Sequence, residues 1–147
     1  MSYATNADVQ QRMSNAVYIQ LTDDAGTGIA DEAKVTEARM AAECEVNSYL
    51  GRRYQVPVDV DVFTELQPLL RSVTLDLAEY RLHARRPAVP ADVAAKRAAA
   101  VDWLGKIANG TALLPAVSEL PSRASEGIVA EVSGTPRMWS SDEASSL

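Results

Sequence analysis

The strongest polar feature of the sequence is a cluster of arginines near the end of the segment PLLRSVTLDLAEYRLHARRP. Arg81, Arg85 and Arg86 stand close together there, and Arg52 and Arg53 form a second basic pair earlier in the chain. A guanidinium presents a fork of N–H donors that matches carboxylate or phosphate oxygens. The cluster therefore has two interpretations: salt bridges within the fold, or a surface for an acidic partner or DNA phosphate.

A glycine-rich turn, TDDAGTGIADE, has part of the pattern of a calcium loop. With Asp23 as the first ligand, Gly28 stands at the sixth position and Asp31 at the ninth, as in an EF-hand. However, Ala25 occupies the third position, and Lys34 replaces the glutamate that ends such a loop. Because an ammonium group repels a cation, no metal site is predicted. The residues instead predict a turn whose glycines adopt positive φ and whose Asp31 caps the next helix.

Residues typical of catalysis are few and poorly spaced. The single histidine, His83, has no serine, cysteine or acid at a spacing typical of a triad or a metal site. Cys44 is the only cysteine, which excludes a disulfide within the chain. Asp76 and Glu79 lie one helical turn apart, and such isolated acidic pairs are usually solvated. Common nucleotide-binding, hydrolase and zinc-protease motifs are absent from the sequence. We therefore predict a protein that is not an enzyme and has no cofactor.

The composition favours one small helical domain. A chain of 147 residues is long enough for one core and short for two. Aromatic residues make up only 5% and alanine is abundant, which favours closely packed helices. The formal net charge of -6 argues against a protein that coats nucleic acid. The sequence lacks a signal-peptide pattern and a run of ~20 apolar residues, so synthesis in the cytoplasm is expected.

Hydrophobic periodicity predicts a mainly α fold, a small bundle of three to four helices within residues 1–110. The predicted helices cover residues 7–15, 31–50, 68–87 and 90–110. Between the first two, VYIQL alternates between apolar and polar residues and predicts a short extended piece. YQVPVDVDVFTELQ, before the third predicted helix, is predicted to be an extended linker.

The helix predicted over residues 68–87 has two apolar strips. A narrow strip contains Leu75, Ala78 and Leu82, nearly opposite a broad strip that is expected to face the core. The broad strip consists of Leu69, Leu70, Val73, Leu77, Tyr80 and Ala84. A helix on the surface of a small globule needs only one such strip. The narrow strip therefore predicts a second partner, which is either more of the same chain or another subunit.

Residues 111–147 are rich in Ser, Pro and Gly and predict an extended C-terminal arm. EGIVAEVSG alternates as one strand would, and a strand needs a partner, either a hairpin within the arm or a neighbouring subunit. Met138 and Trp139 stand in an otherwise polar stretch. Such a pair predicts an anchor that docks on another surface, in preference to an arm folded back on its own helices.

Several stretches, in their order along the chain, resemble one known family. They are ATNADVQQRMS, IQLTDDAGTG, NSYLGRRYQVPV, PLLRSVTLDLAEYRLHARRP, AVDWLGKIANG and GTPRMWSS. In this order the chain is similar, over nearly its whole length, to the Mu-type phage and prophage head-tail connector proteins. The resemblance implies a small helical adaptor that assembles as a dodecameric ring beneath the capsid portal and receives the next neck or tail component.

The resemblance also implies a place and partners for the chain. It implies a structural virion protein of the head-tail neck, made in the host bacterial cytoplasm, that is compatible with a monomer when free. Its implied partners are the portal protein, a downstream neck or tail protein and further copies of itself, with no membrane and with DNA passing through without specific binding. The candidate subunit or portal contacts are Leu75, Ala78, Leu82, Arg81, Arg85, Arg86, Met138 and Trp139. The alternative is a small helical DNA-binding or regulatory module that uses the patch of Arg81, Arg85 and Arg86.

Overall fold

A computed structural model describes residues 2–120 of the chain. The described part contains five α-helices and a short 3₁₀ turn, Thr64–Leu66, and it contains no strand. The helices are α1 (Asn6–Gln11), α2 (Asn15–Thr22), α3 (Glu32–Leu50), α4 (Gln67–His83) and α5 (Ala91–Asn109). The helices α3, α4 and α5 pack against one another, and α1 and α2 pack on α3 and α4. The predicted mainly α bundle is confirmed.

Side-chain caps set the starts of the first three helices. Thr5 and Asp8 form a capping box at α1, because the Thr5 hydroxyl accepts from the backbone N–H of Asp8 and the Asp8 carboxylate accepts from that of Thr5. Ser14 caps α2, and Asp31 caps α3 by accepting from the N–H of Ala33 at 3.0 Å. The predicted cap at Asp31 is thus confirmed.

The prediction of an extended piece at residues 17–21 is wrong, since these residues belong to α2. The hydroxyl of Ser14 accepts from the backbone N–H of Val17, which starts the helix. Tyr18 and Leu21 are three residues apart and both are buried, so they form the inner face of a helix. Short apolar alternation does not distinguish this face from a strand.

The narrow strip of α4 lies in the core of the described part of the chain. Leu75, Ala78 and Leu82 are 6%, 0% and 0% exposed, whereas Leu69, expected to face the core, is 37% exposed. The physical reason is that α4 is the central helix and contacts the other four. The second partner that the narrow strip requires is the chain itself, and these three residues do not form a surface for another subunit.

Residues after α5 continue along the end of α3. The backbone N–H of Leu114 donates to the buried hydroxyl of Tyr54 at 3.0 Å, and that of Leu120 donates to the carbonyl of Arg53 at 2.6 Å. Arg53 also pairs with Glu119 at 2.6 Å. The chain therefore leaves the described domain beside the C-terminal end of α3. The predicted strand EGIVAEVSG lies outside the described residues.

We expect Gly110→Ala to destabilise the domain by about 1 kcal/mol, since Gly110 ends α5 at a φ of 82° that alanine rarely adopts. The added methyl group would also meet the guanidinium of Arg53 and disturb its pair with Glu119. Urea unfolding followed by circular dichroism measures the change. Gly105 is the matched control, because it lies within α5 with open space around it. Gly105→Ala should stabilise by about 0.5–1 kcal/mol, and equal shifts for both variants would contradict the prediction.

Candidate assembly surface

Glu45 of α3 joins the two following helices through a pair of arginines. Arg81 of α4 donates to one carboxylate oxygen of Glu45 at 2.7 Å, and Arg97 of α5 approaches the other at 3.4 Å. The guanidinium of Arg97 also lies over the ring of Tyr80, 4.7 Å from its centroid. Two cations thus share one carboxylate, which places both guanidinium groups side by side where three helices meet.

Asp24, in the glycine-rich turn, gathers a second group of cations. Arg85 and Lys34 bond one of its oxygens, and Arg86 bonds the other at 3.1 Å. Hydrogen bonds from Lys34 and Arg85 hold the pKa of the Asp24 carboxyl below its usual range, and the bond from Lys34 has the larger effect. Arg85 and Arg86 also donate to backbone carbonyls at the end of α2, each at 2.6 Å. The negative end of the α2 dipole favours cations at this position.

The glycine-rich turn has the structure that the sequence predicts. Gly26 and Gly28 adopt φ values of 70° and 76°. The carboxylate of Asp23 accepts from the backbone N–H of Gly28 at 2.6 Å and from the hydroxyl of Thr27 at 3.2 Å. Bonds from the backbone of Thr27 and Gly28 lower the pKa of the Asp23 carboxyl. Asp23 therefore organises the turn itself, which presents the side chain of Ile29, 72% exposed.

The structure places the predicted interface residues in three different settings. The narrow strip of α4 is buried, as described above. Arg81, Arg85 and Arg86 all have carboxylate partners within the same chain, yet their side chains remain 40%, 29% and 35% exposed. Met138 and Trp139 lie outside the described residues. For the arginine cluster the structure thus shows the salt bridges, and it leaves part of each guanidinium at the surface.

The acidic pair of α4 does not behave as a solvated pair. Asp76 forms an ion pair with Arg12 at 3.0 Å, which ties the end of α1 to α4. Glu79 is only 6% exposed, with the ammonium of Lys96 on α5 at 4.0 Å. The prediction of solvated carboxylates is therefore wrong for Glu79, because α5 lies across that side of the helix.

A cleft of about 420 Å³, which we call the arginine cleft, opens where α3, α4 and α5 meet. Its apolar lining comprises Tyr80 and three alanines, Ala38, Ala41 and Ala84. Its charged lining comprises Lys34, Arg81, Arg85 and Arg97 together with Glu37 and Glu45. The lining thus carries four cations and two carboxylates on a chain with a formal net charge of -6, and Asp24 pairs with two of the cations, Lys34 and Arg85. Sequence reasoning missed Arg97, whose only signal is its position on α5 between the buried Val93 and Ala100.

Comparison with known proteins places the chain in a phage family. None of the helices within residues 2–120 combines the length and apolar character that a membrane crossing requires. The chain matches none of the curated proteins with which it was compared. Residues 3–131, which form most of the chain, match the family described as bacteriophage Mu, Gp36. The resemblance to a Mu-type phage family is therefore confirmed, and the chain belongs to the bacteriophage Mu Gp36 family.

Proposed function

We propose that the chain is a structural virion protein without catalytic activity, a head-tail connector that forms a ring on the capsid portal. The observation that carries the proposal is the match of residues 3–131 to a bacteriophage Mu protein family. The proposed ring is dodecameric, lies at the neck of the virion and joins the head to the downstream neck or tail protein. The free chain is compatible with a monomer that assembles only on its partner.

The surface of the described domain supports a ring subunit on physical grounds. Contacts around a ring are heterologous, so each subunit must offer two different and complementary surfaces. The arginine cleft is one built and partly exposed surface. Met138 and Trp139 of the C-terminal segment are the apolar anchor proposed for the other. An acidic chain around the central channel would repel DNA phosphate and let DNA pass without specific binding.

The test is the mass of the chain in solution, measured with and without the portal protein of the same phage. We expect a complex whose mass corresponds to a ring of this chain on the portal. A free monomer in the absence of portal is compatible with the proposal. A chain that stays monomeric and leaves the portal unbound would overturn it.

Duplex DNA binding distinguishes the connector from a DNA-binding module. Asp24 and Glu45 offset part of the positive charge of Arg81, Arg85 and Arg86, and the chain as a whole carries a formal net charge of -6, which repels phosphate. We therefore expect no appreciable retention of duplex DNA in a titration at low and at moderate salt. Tight binding that weakens steeply as salt is raised would favour the DNA-binding alternative.

A further inference from the structure

We infer that the arginine cleft is the docking surface for the C-terminal segment Met138–Glu143 of a neighbouring copy of this chain. The inference rests on the proposed ring and names the contact that would hold adjacent subunits together. In a closed ring, each subunit would give its segment to one neighbour and receive a segment from the other.

Two arginines of the cleft, Arg81 and Arg97, have guanidinium N–H donors without an acceptor within the described residues. Within the described residues, Arg81 and Arg97 each make one hydrogen bond through a side chain that carries several N–H donors, and both go to Glu45. Their side chains are 40% and 36% exposed. One carboxylate therefore serves two guanidinium groups at the surface. A second carboxylate, supplied by another molecule, would accept charge-assisted hydrogen bonds from the remaining N–H donors of both guanidinium groups.

The rest of the cleft suits an aromatic side chain. Ala38, Ala41 and Ala84 are small, so they leave space beside the ring of Tyr80. The volume of about 420 Å³ lies within the range of pockets that enclose organic groups of moderate size. Aromatic anchors in such pockets dominate the binding energy of many protein interfaces. The cleft is therefore suited to a segment that carries an aromatic ring and a carboxylate close together.

The C-terminal segment offers this combination. Trp139 is the only aromatic residue after Trp103, and the acidic residues Asp142 and Glu143 follow it within four positions. The basic residue Arg137 stands just before the anchor. Glu37, which also lines the cleft, provides a carboxylate of opposite charge to Arg137. The charges of the segment and of the cleft are therefore complementary at both ends of the anchor.

The chain between the domain and the anchor is long enough to reach a neighbour. Leu120 is held at the end of α3 by its bond to the carbonyl of Arg53. Residues 121–138 separate it from Trp139, and 18 residues span at most roughly 60 Å. A domain of this size has a radius of gyration of about 13–14 Å. The segment can therefore extend past its own domain to the cleft of an adjacent copy.

The first test is a charge reversal in the full-length chain, assembled on the portal protein of the same phage. We expect Arg97→Glu to weaken ring assembly roughly tenfold or more, because it replaces an attraction with a repulsion inside the interface. Adding Asp142→Arg to this variant should restore part of the loss. Arg52→Glu is the matched control, since Arg52 is exposed and has no ion pair within residues 2–120, and it should assemble normally. Urea midpoints of the variants show whether each one is folded.

The second test maps the contact directly. A photo-crosslinking amino acid at position 139 is placed in ¹⁵N-labelled chains, which are mixed with unlabelled chains and assembled on the portal. We expect crosslinked peptides that join a labelled segment to the unlabelled stretches around Ala41 or Tyr80. Crosslinks within one chain only, or to other surfaces, would overturn the docking, as would a folded Arg97→Glu variant that assembles normally. If the wild-type chain forms no ring, the proposed function fails first and the inference with it.

Discussion

Replacing Leu82 with glutamate is expected to unfold the helical domain, whereas the same change at Leu69 is expected to leave it folded. Leu82 is fully buried in α4, and a carboxylate there would have neither solvent nor a partner. The cost should exceed about 4 kcal/mol, which approaches the whole stability of a small domain. Leu69 is 37% exposed on the first turns of α4, so its glutamate can reach water and should cost less than about 1 kcal/mol.

The pair of variants is matched, because both change leucine to glutamate on the same helix. Circular dichroism and urea unfolding of the free chain measure the two outcomes without any assembly partner. Leu82→Ala is a milder variant, for which we expect the free energy of unfolding to fall by about 2–5 kcal/mol. A Leu82→Glu chain that keeps the wild-type urea midpoint would contradict the core position of this residue. The pattern of apolar strips alone does not predict this order, since it assigns Leu69 to the core and leaves open whether the same chain or another subunit covers Leu82.

Local signals were sufficient for the presence of the longer helices but not for every end, since α4 ends at His83, four residues before the predicted end at residue 87. Asp31 and Gly110 mark the start of α3 and the end of α5, and both act in the structure as the sequence predicts. A cap or a left-handed glycine depends on the backbone within one turn, so its signature lies in neighbouring residues. The turn around Gly26 and Gly28 was predictable for the same reason.

Tertiary neighbours were not predictable from these signals. Periodicity shows that α4 has two apolar strips, but it does not say what covers each one. The extended interpretation of residues 17–21 removed α2 from the prediction, although α2 is one of the helices that contact α4. Without this helix, the sequence left open whether the same chain or another subunit covers the strip at Leu75 and Leu82.

The ion pairs of the candidate site were hidden for a related reason. Glu45 and Arg97 are 52 residues apart in sequence, and only the packing of α3 against α5 brings them together. The sequence therefore identified the arginine cluster as a polar feature, but it did not identify the carboxylates that hold it. It also left open whether salt bridges or a partner would use the cluster, and within the chain the salt bridges are made by Asp24 and Glu45.

Asp8→Asn is expected to destabilise the domain by about 1–2 kcal/mol near neutral pH, because Asp8 joins two stabilising features. One carboxylate oxygen accepts from the backbone N–H of Thr5 at 2.8 Å, and the other pairs with Arg71 of α4. Asparagine keeps an acceptor for one of these contacts and loses the charge. Urea midpoints measure the change, and Asp61→Asn, at an exposed aspartate in the connection before α4, is a control that should differ little from wild type.

At acid pH, the wild-type protein should lose the extra stability that it has over the Asp8→Asn variant. Burial raises the pKa of Asp8, but the bonds from Arg71 and Thr5 outweigh it and hold the pKa of the folded state below the ordinary value of 3.8. A carboxyl with a lowered pKa stabilises the fold above its unfolded-state pKa, and the contribution is lost as the pH falls through the folded-state pKa. The urea midpoints of wild type and Asp8→Asn should therefore converge as the pH is lowered below about 4. A difference that stays constant with acid would mean that the packing of the side chain, and not its charge, stabilises the contact between α1 and α4.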